Sequence, residues 1–227
     1  MRITLDKPIA YTAIVALSVV MLFPFAWMLS SSLKPFSEIF AGNSFLPEHP
    51  TLANYQSLFQ QNNAVLKLWN SFYIAGAATA ISVFLCALGG YAFAKFRFPG
   101  RGLLFSLMLA SMALPFAVVM VPLFVMMRNV FHWIDTPWPL IIPGAANAFG
   151  IFFMSSWNNF LWPLAILHSD SMQTVPVMLN SLQGPPGRTA FDVLMAGSVV
   201  SVLPMLVIFL VLQRRLVAGI TSGAIKG

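Results

Sequence analysis

The sequence predicts an all-α fold, a polytopic bundle of transmembrane helices, and three observations predict it. Of 227 residues, 59% are hydrophobic and only 8% charged, with a mean hydropathy of +0.83. Soluble domains carry roughly 25% charged residues, so a water-facing surface cannot be built from so few and lipid must solvate much of the exterior. Five long apolar stretches, each near or above the roughly 20 residues a crossing needs, contain no Asp, Glu, Lys or Arg. The twelve Lys and Arg gather mostly between or beyond these stretches, the pattern of connectors sorted to the cytoplasmic side.

The stretches run from about Ile9 to Leu33, Leu68 to Ala94, Leu103 to Met127, Trp138 to Leu167 and Val193 to Leu212. Arg2 and Lys7 precede the first, which is too long for a signal-peptide core and reads as an uncleaved helix with a cytoplasmic N-terminus. In the second, Gly76 and Ala80 lie four apart, a spacing that lets helices approach closely. Pro24, Pro115, Pro122, Pro143, Pro163 and Pro204 interrupt the runs and shape or hinge the helices. Trp69, Tyr73, Trp133, Trp138 and Trp162 lie near run ends, as an interfacial belt would.

Lys95, Arg97 and Arg101 crowd the short link after the second run, and Arg214, Arg215 and Lys226 follow the last; both read as cytoplasmic. The links 34–67, 128–137 and 168–192 read as external. A net charge of +6 and a pI near 9.9 therefore reflect topology, and nucleic acid is not an expected partner.

Both termini on one side demand an even number of crossings, yet five runs are present. The odd one is Trp138 to Leu167. As one helix its 30 residues would span about 45 Å against a core of about 30 Å, while two crossings need roughly 40 residues. Its most polar part is Ser155–Asn159. A re-entrant hairpin, or the loss of residues here, would restore parity.

The chain carries no phosphate-cradling Gly-x-x-x-x-Gly-Lys-Ser/Thr loop, so it is not expected to hydrolyse ATP. Cys86, the single cysteine, has no disulfide partner in the chain, and with His49, His132 and His168 it shows no metal-ligand spacing. No catalytic triad is visible. An enzyme is not expected, and neither a cofactor nor a metal is expected in this chain. The absence of ionisable groups from the runs argues against a secondary carrier or channel, which keeps such groups as its relay.

In sequence order, Phe23–Lys34 (FPFAWMLSSSLK), Pro50–Tyr55 (PTLANY), Gly90–Arg101 (GYAFAKFRFPGR), Ser156–Leu164 (SWNNFLWPL), Leu194–Gly197 (LMAG) and the tail Gln213-Arg-Arg, Gly219-Ile-Thr and Gly223–Gly227 form a set. The chain resembles the inner-membrane permease subunits of bacterial ATP-binding-cassette sugar importers, the group containing the maltose permeases. The resemblance implies six helices, with the fourth run here a fusion of two. It also implies a cytoplasmic Glu-Ala-Ala loop that docks into the ATPase, and no such segment is present. On the order of 50 residues by the family pattern are missing, which places an internal deletion near 154–155 of a single permease domain spanning 1–227.

What the resemblance implies further is a bacterial inner-membrane, multi-pass protein that moves a sugar or related small polar solute by alternating access. ATP would be bound by a partner subunit. The partners would be a second homologous permease, two ATPase subunits and an extracytoplasmic solute-binding protein. Trp157, Asn158 and Asn159 would lie along the substrate path, although an interhelical hydrogen bond also satisfies an amide in hydrocarbon. Arg214, Arg215, Lys226 and Gly227 match the family's ATPase-contact tail, although the positive-inside rule alone explains cations there. A membrane-inserted, transport-incompetent deletion product is the alternative.

Overall fold

In the computed structural model the described residues are 7–41, 44–112, 116–145, 152–184 and 190–224. Among them there are eleven α-helices, one 3₁₀ turn and no strand. The chain divides into two compact units, residues 1–62 with 181–227, and residues 63–180.

The first unit holds α1 (Lys7–Ser32), α2 (Phe36–Ala41), α3 (Ala53–Gln60) and α11 (Phe191–Ala224). Helix α1 buries only Ser30, Ser31 and Ser32 and leaves its apolar length exposed. That is the surface of a helix whose solvent is lipid. It packs along α11, which also meets α2 and α3.

Where α1 ends, its last carbonyls need donors, because a helix C-terminus leaves four of them unanswered. The buried amide of Asn54 supplies two, donating from Nδ2 to Ser32 O at 2.9 Å and to Lys34 O at 2.8 Å. Thr51 N donates to Leu33 O at 2.8 Å, and the Ser32 and Tyr55 hydroxyls are 2.8 Å apart. The buried Lys34 ammonium donates to Ser44 O at 2.6 Å and stands 5.6 Å from the Trp27 ring centroid. Glu38 accepts from Glu48 N at 2.6 Å and His49 N at 3.2 Å. The stretches 23–34 and 50–55, separate in sequence, are thus two halves of one polar knot.

The second unit holds α4 (Ala64–Lys95), α5 (Arg101–Met112), α6 (Phe116–Asn129), α7 (Trp138–Ala145), α8 (Phe152–Trp157), α9 (Leu161–Ile166), a 3₁₀ turn (Asp170–Met172) and α10 (Val175–Ser181), whose last residue falls to the other unit. Its core is Ile74, Met127, Leu140, Ile141, Trp162, Ile166 and Leu167. Helix α4 buries Ala64, Lys67, Ser71, Ile74, Ala75, Ala78 and Ser82, one stripe at helical spacing. Beyond Ser82 the stripe stops, and Val83, Phe84, Leu85, Leu88 and Tyr91 are exposed around more than one turn.

Among the described residues, three helices are long and apolar enough to cross a membrane: Lys7–Ser32, Ala64–Lys95 and Phe191–Val211. The third and fourth apolar runs differ from the expectation of long continuous segments. The third consists of α5 and α6, with Pro115 outside the described residues. The fourth is α7, α8 and α9. Its break at 158–160 has a local cause: Pro163 brings no N–H, and its ring would strike the carbonyl of Asn159 in a continuous helix. Trp162 is 2% exposed and belongs to the core, not to an interfacial belt, whereas Trp69 and Trp138 are exposed. Gly76 has nothing within 4 Å of where a Cβ would stand, so the close approach expected there is not made by this chain's described residues.

Replacing Asn54 with alanine should cost about 2 kcal/mol, because two hydrogen bonds to buried carbonyls are lost at about 1 kcal/mol each. Thermal unfolding of purified N54A in detergent, read against wild type, measures it. The Glu38 carboxyl is held below its ordinary value of 4.5, chiefly by the Glu48 N–H and further by the His49 N–H, Lys34 and His49, while partial desolvation opposes them. A depressed carboxylate contributes stability above the unfolded value and loses it as pH falls through the folded one. Acid should therefore loosen the 38–49 contact in wild type, and E38Q should lack that acid dependence; hydrogen exchange at Glu48 and His49 against pH reads both.

Candidate functional site

Trp157, Asn158 and Asn159 occupy the end of α8 and the turn after it. Trp157 is 2% exposed, stacked on Phe153 at 5.8 Å and edge-on to Phe72 of α4 at 6.1 Å. Offset and edge-on ring pairs of this kind hold a short helix against a long one. Asn158 is exposed and Asn159 half-buried. Their backbone N–H groups close the helix end, Asn158 N to Met154 O at 3.1 Å and Asn159 N to Ser156 O at 3.3 Å. The indole thus packs α8 against α4, and the two amides follow it in the turn. Arg214 and Arg215 lie in the last third of α11, their side chains outside the described set, and Lys226 and Gly227 fall outside the described residues altogether.

Around this trio, two sets of polar contacts fasten the unit. The first joins α4 to the segment after α9. Lys67 Nζ donates to Asp170 Oδ1 at 2.7 Å, with the lysine side chain 3% exposed and the aspartate 63% exposed. One turn on, Asn70 Nδ2 donates to Ser171 O at 2.8 Å and Gln173 O at 3.1 Å, and Val175 N donates to Ser71 Oγ at 2.7 Å.

The second set ties the two ends of the fourth run together. Asp135, in a left-handed conformation at φ 60°, accepts from His168 N and Ser169 N at 3.0 Å each and from the Ser169 hydroxyl. Its own N–H donates to Ile166 O at 3.0 Å, and Trp162 Nε1 donates to Pro139 O at 2.7 Å. Residues at the two ends of the run are thus held together, and both α7 and α8 pack on α4.

Sequence reasoning treated Lys67, Asp135 and Asp170 as loop charges. One signal was present: Lys67, Asn70 and Ser71 stand at i, i+3 and i+4, the spacing that lines one helix face. Their partners lie about a hundred residues away, beyond the reach of any local pattern.

Known proteins resemble this chain along most of its length. No protein-family model matches it. It is 32% identical to the arabinooligosaccharides transport system permease protein AraQ of Bacillus subtilis over 262 aligned positions, covering 93% of this chain and 92% of the relative. The chain belongs to the permease family of ABC sugar importers. Identity is 29% to the sulfoquinovosyl glycerol transport system permease protein SmoH of Agrobacterium fabrum, covering 97% of this chain and 94% of that one. To the lactose transport system permease protein LacG of Rhizobium radiobacter it is 26%, covering 100% and 98%. The fold matches a chain in the crystal structure of a bacterial ABC transporter involved in import of the acidic polysaccharide alginate, with a TM-score of 0.73 and 16% identity over 94% of this chain and 99% of that one. This permease is accordingly a multi-pass membrane component of a transporter and not an enzyme, as its sequence anticipated.

Substituting Asp170 with asparagine leaves the Lys67 ammonium buried without its counter-charge. The cost should be about 2 kcal/mol, less than for a fully buried pair because water screens the exposed carboxylate. K67M, which removes the charge and keeps the packing, should restore much of the stability lost in D170N. Urea unfolding of the two single variants and the double variant in micelles checks this.

Proposed function

We propose that this permease serves the uptake of a sugar or related small polar solute, as half of a translocation pathway completed by a second, homologous permease. Its 32% identity to an oligosaccharide permease protein across 93% of the chain carries the reading. Two copies of a separate ATPase bind the ATP, and an extracytoplasmic binding protein delivers the solute. The N-terminus faces the cytoplasm of a bacterial cell, placed there by Arg2 and Lys7 and by the cationic link at 95–101. Asn158 and Asn159 offer amide donors and acceptors to sugar hydroxyls along the path, with Trp157 anchoring them to α4. Arg214, Arg215, Lys226 and Gly227 form the tail that meets the ATPases.

One observation favours a second reading, in which the inserted chain lacks the element that couples it to ATP. The coverage of AraQ, 93% of 227 residues, is about 211 residues set against 262 aligned positions, so about 51 positions face nothing in this chain. With LacG the corresponding figure is 273 positions against 227 residues, about 46. We place the missing segment at 154–155, inside the fourth run, where the sequence passes from a stretch resembling one family helix into the middle of the next.

The clasp at Asp135 supports this placement. A run of 30 residues whose ends are tied together gives each limb about 15, or about 22 Å as helix, against a core of about 30 Å. Limbs of that length are too short for two crossings and favour a re-entrant arrangement, with α7 and α8 packed on α4. Four crossings then remain, an even number consistent with both termini in the cytoplasm. The loop that would dock into an ATPase has no chain from which to form.

The test uses a strain lacking its own permease of this kind, supplied with the partner subunits. Expression of this chain should give a membrane-inserted protein that recovers less than a tenth of the ATPase co-purifying with a full-length relative, and no uptake of labelled oligosaccharide. Inserting the roughly 50-residue segment of a relative after Met154 should restore both. Uptake at the relative's rate without the insertion would defeat the second reading and leave the first; absence of uptake with the insertion and all partners present would defeat the first.

A further inference from the structure

The second unit contains a cleft of about 340 Å³ lined by Phe124, Arg128, His132, Ile134 and His168. None of its lining residues belongs to the amide pair or to the tail. Arg128 stands in the last turn of α6, an apolar helix with exposed Val125 and Met126, and the chain beyond it exposes Val130 and Phe131. The lining thus joins cationic and apolar groups, and exposed apolar residues flank Arg128 in sequence as a rim.

Three features converge on an anionic occupant. The lining holds one guanidinium and two imidazoles but no carboxylate. Among the described residues the only ion pair is Lys67–Asp170, so no described acid neutralises Arg128. The carboxylate nearest in sequence, Asp135, is engaged by the N–H groups of His168 and Ser169 and by the Ser169 hydroxyl. His132, which lines the cleft, has a left-handed backbone at φ 54°, a conformation histidine adopts more readily than most residues. The rings of Phe131 and Trp133 on either side stack at 4.7 Å.

We infer that this cleft binds the phosphate of an anionic phospholipid. A guanidinium can present two parallel N–H groups to phosphate oxygens, and the imidazole N–H groups supply further donors. The volume is ample for a phosphate with its glycerol, and the acyl chains would lie along the exposed apolar face of α6. Basic pockets between membrane helices bind anionic head groups on the cytoplasmic side, and the same pairing of charge with an apolar flank stands here at a link read as external. A soluble phosphate shares the charge chemistry but gains nothing from the rim.

Native mass spectrometry of the full chain, released from micelles doped with phosphatidylglycerol or with phosphatidylcholine, tests the inference. Phosphatidylglycerol should be retained at least tenfold more tightly than phosphatidylcholine, R128Q should abolish the difference, and R128K should keep part of it. Inorganic phosphate at millimolar concentration should not displace the lipid. Equal retention of the two lipids by wild type overturns the inference whatever the variants do, and so does unchanged selectivity in R128Q. Complete displacement by inorganic phosphate would make this a soluble-anion site and overturn the lipid assignment.

Discussion

Within a hydrocarbon slab there is no water to answer a peptide N–H or C=O, so each backbone group has to be satisfied by the chain itself. Helices settle this along their length and leave it open at their ends. Much of the polar structure of this permease answers those ends. Asn54 closes the C-terminus of α1. Asp135 and the segment 166–169 close one another. Ser71 and Asn70, on the first turns of α4, answer the backbone at 171–175. Charged residues are few, and several of them serve the same end. Lys34, Glu38, Lys67, Asp135 and Asp170 all bond to backbone groups or to one another.

The same constraint explains which family-like stretches carry structure. The FPFAWMLSSSLK and PTLANY segments meet in the knot at the end of α1, where aromatic rings at Phe23, Trp27 and Phe45 pack 5.9–6.3 Å apart beside the ammonium of Lys34. In the SWNNFLWPL segment the two tryptophans divide the labour. Trp157 fixes α8 to α4 through Phe72, and Trp162 enters the core and donates to Pro139. The asparagines between them mark the place where Pro163 forbids the helix to continue.

How far the sequence alone could be read follows from what is local. The helical class and the first, second and last spans were legible, because hydropathy integrates over twenty neighbouring residues. The breaks in the fourth run were half legible: its length and polar centre signalled trouble, while the tie between Asp135 and His168 is a contact between residues 33 apart in sequence. The pairing of Lys67 with Asp170, 103 residues apart, was illegible for the same reason. Of the candidate path residues, the amides were singled out by the cost of a polar group in lipid, whereas the packing of Trp157 depends on Phe72, which no pattern within its own segment announces.

Helix α4 carries a consequence of its length. Its 32 residues extend about 48 Å, some 18 Å more than the hydrocarbon they traverse. A rod longer than its slab either leans or stands proud, and the balance shifts with bilayer thickness. Because the first turns grip the strip from Asp170 to Val175, whatever α4 does that strip does with it. The helix is a mast, and the host membrane's thickness sets the height at which its rigging is carried.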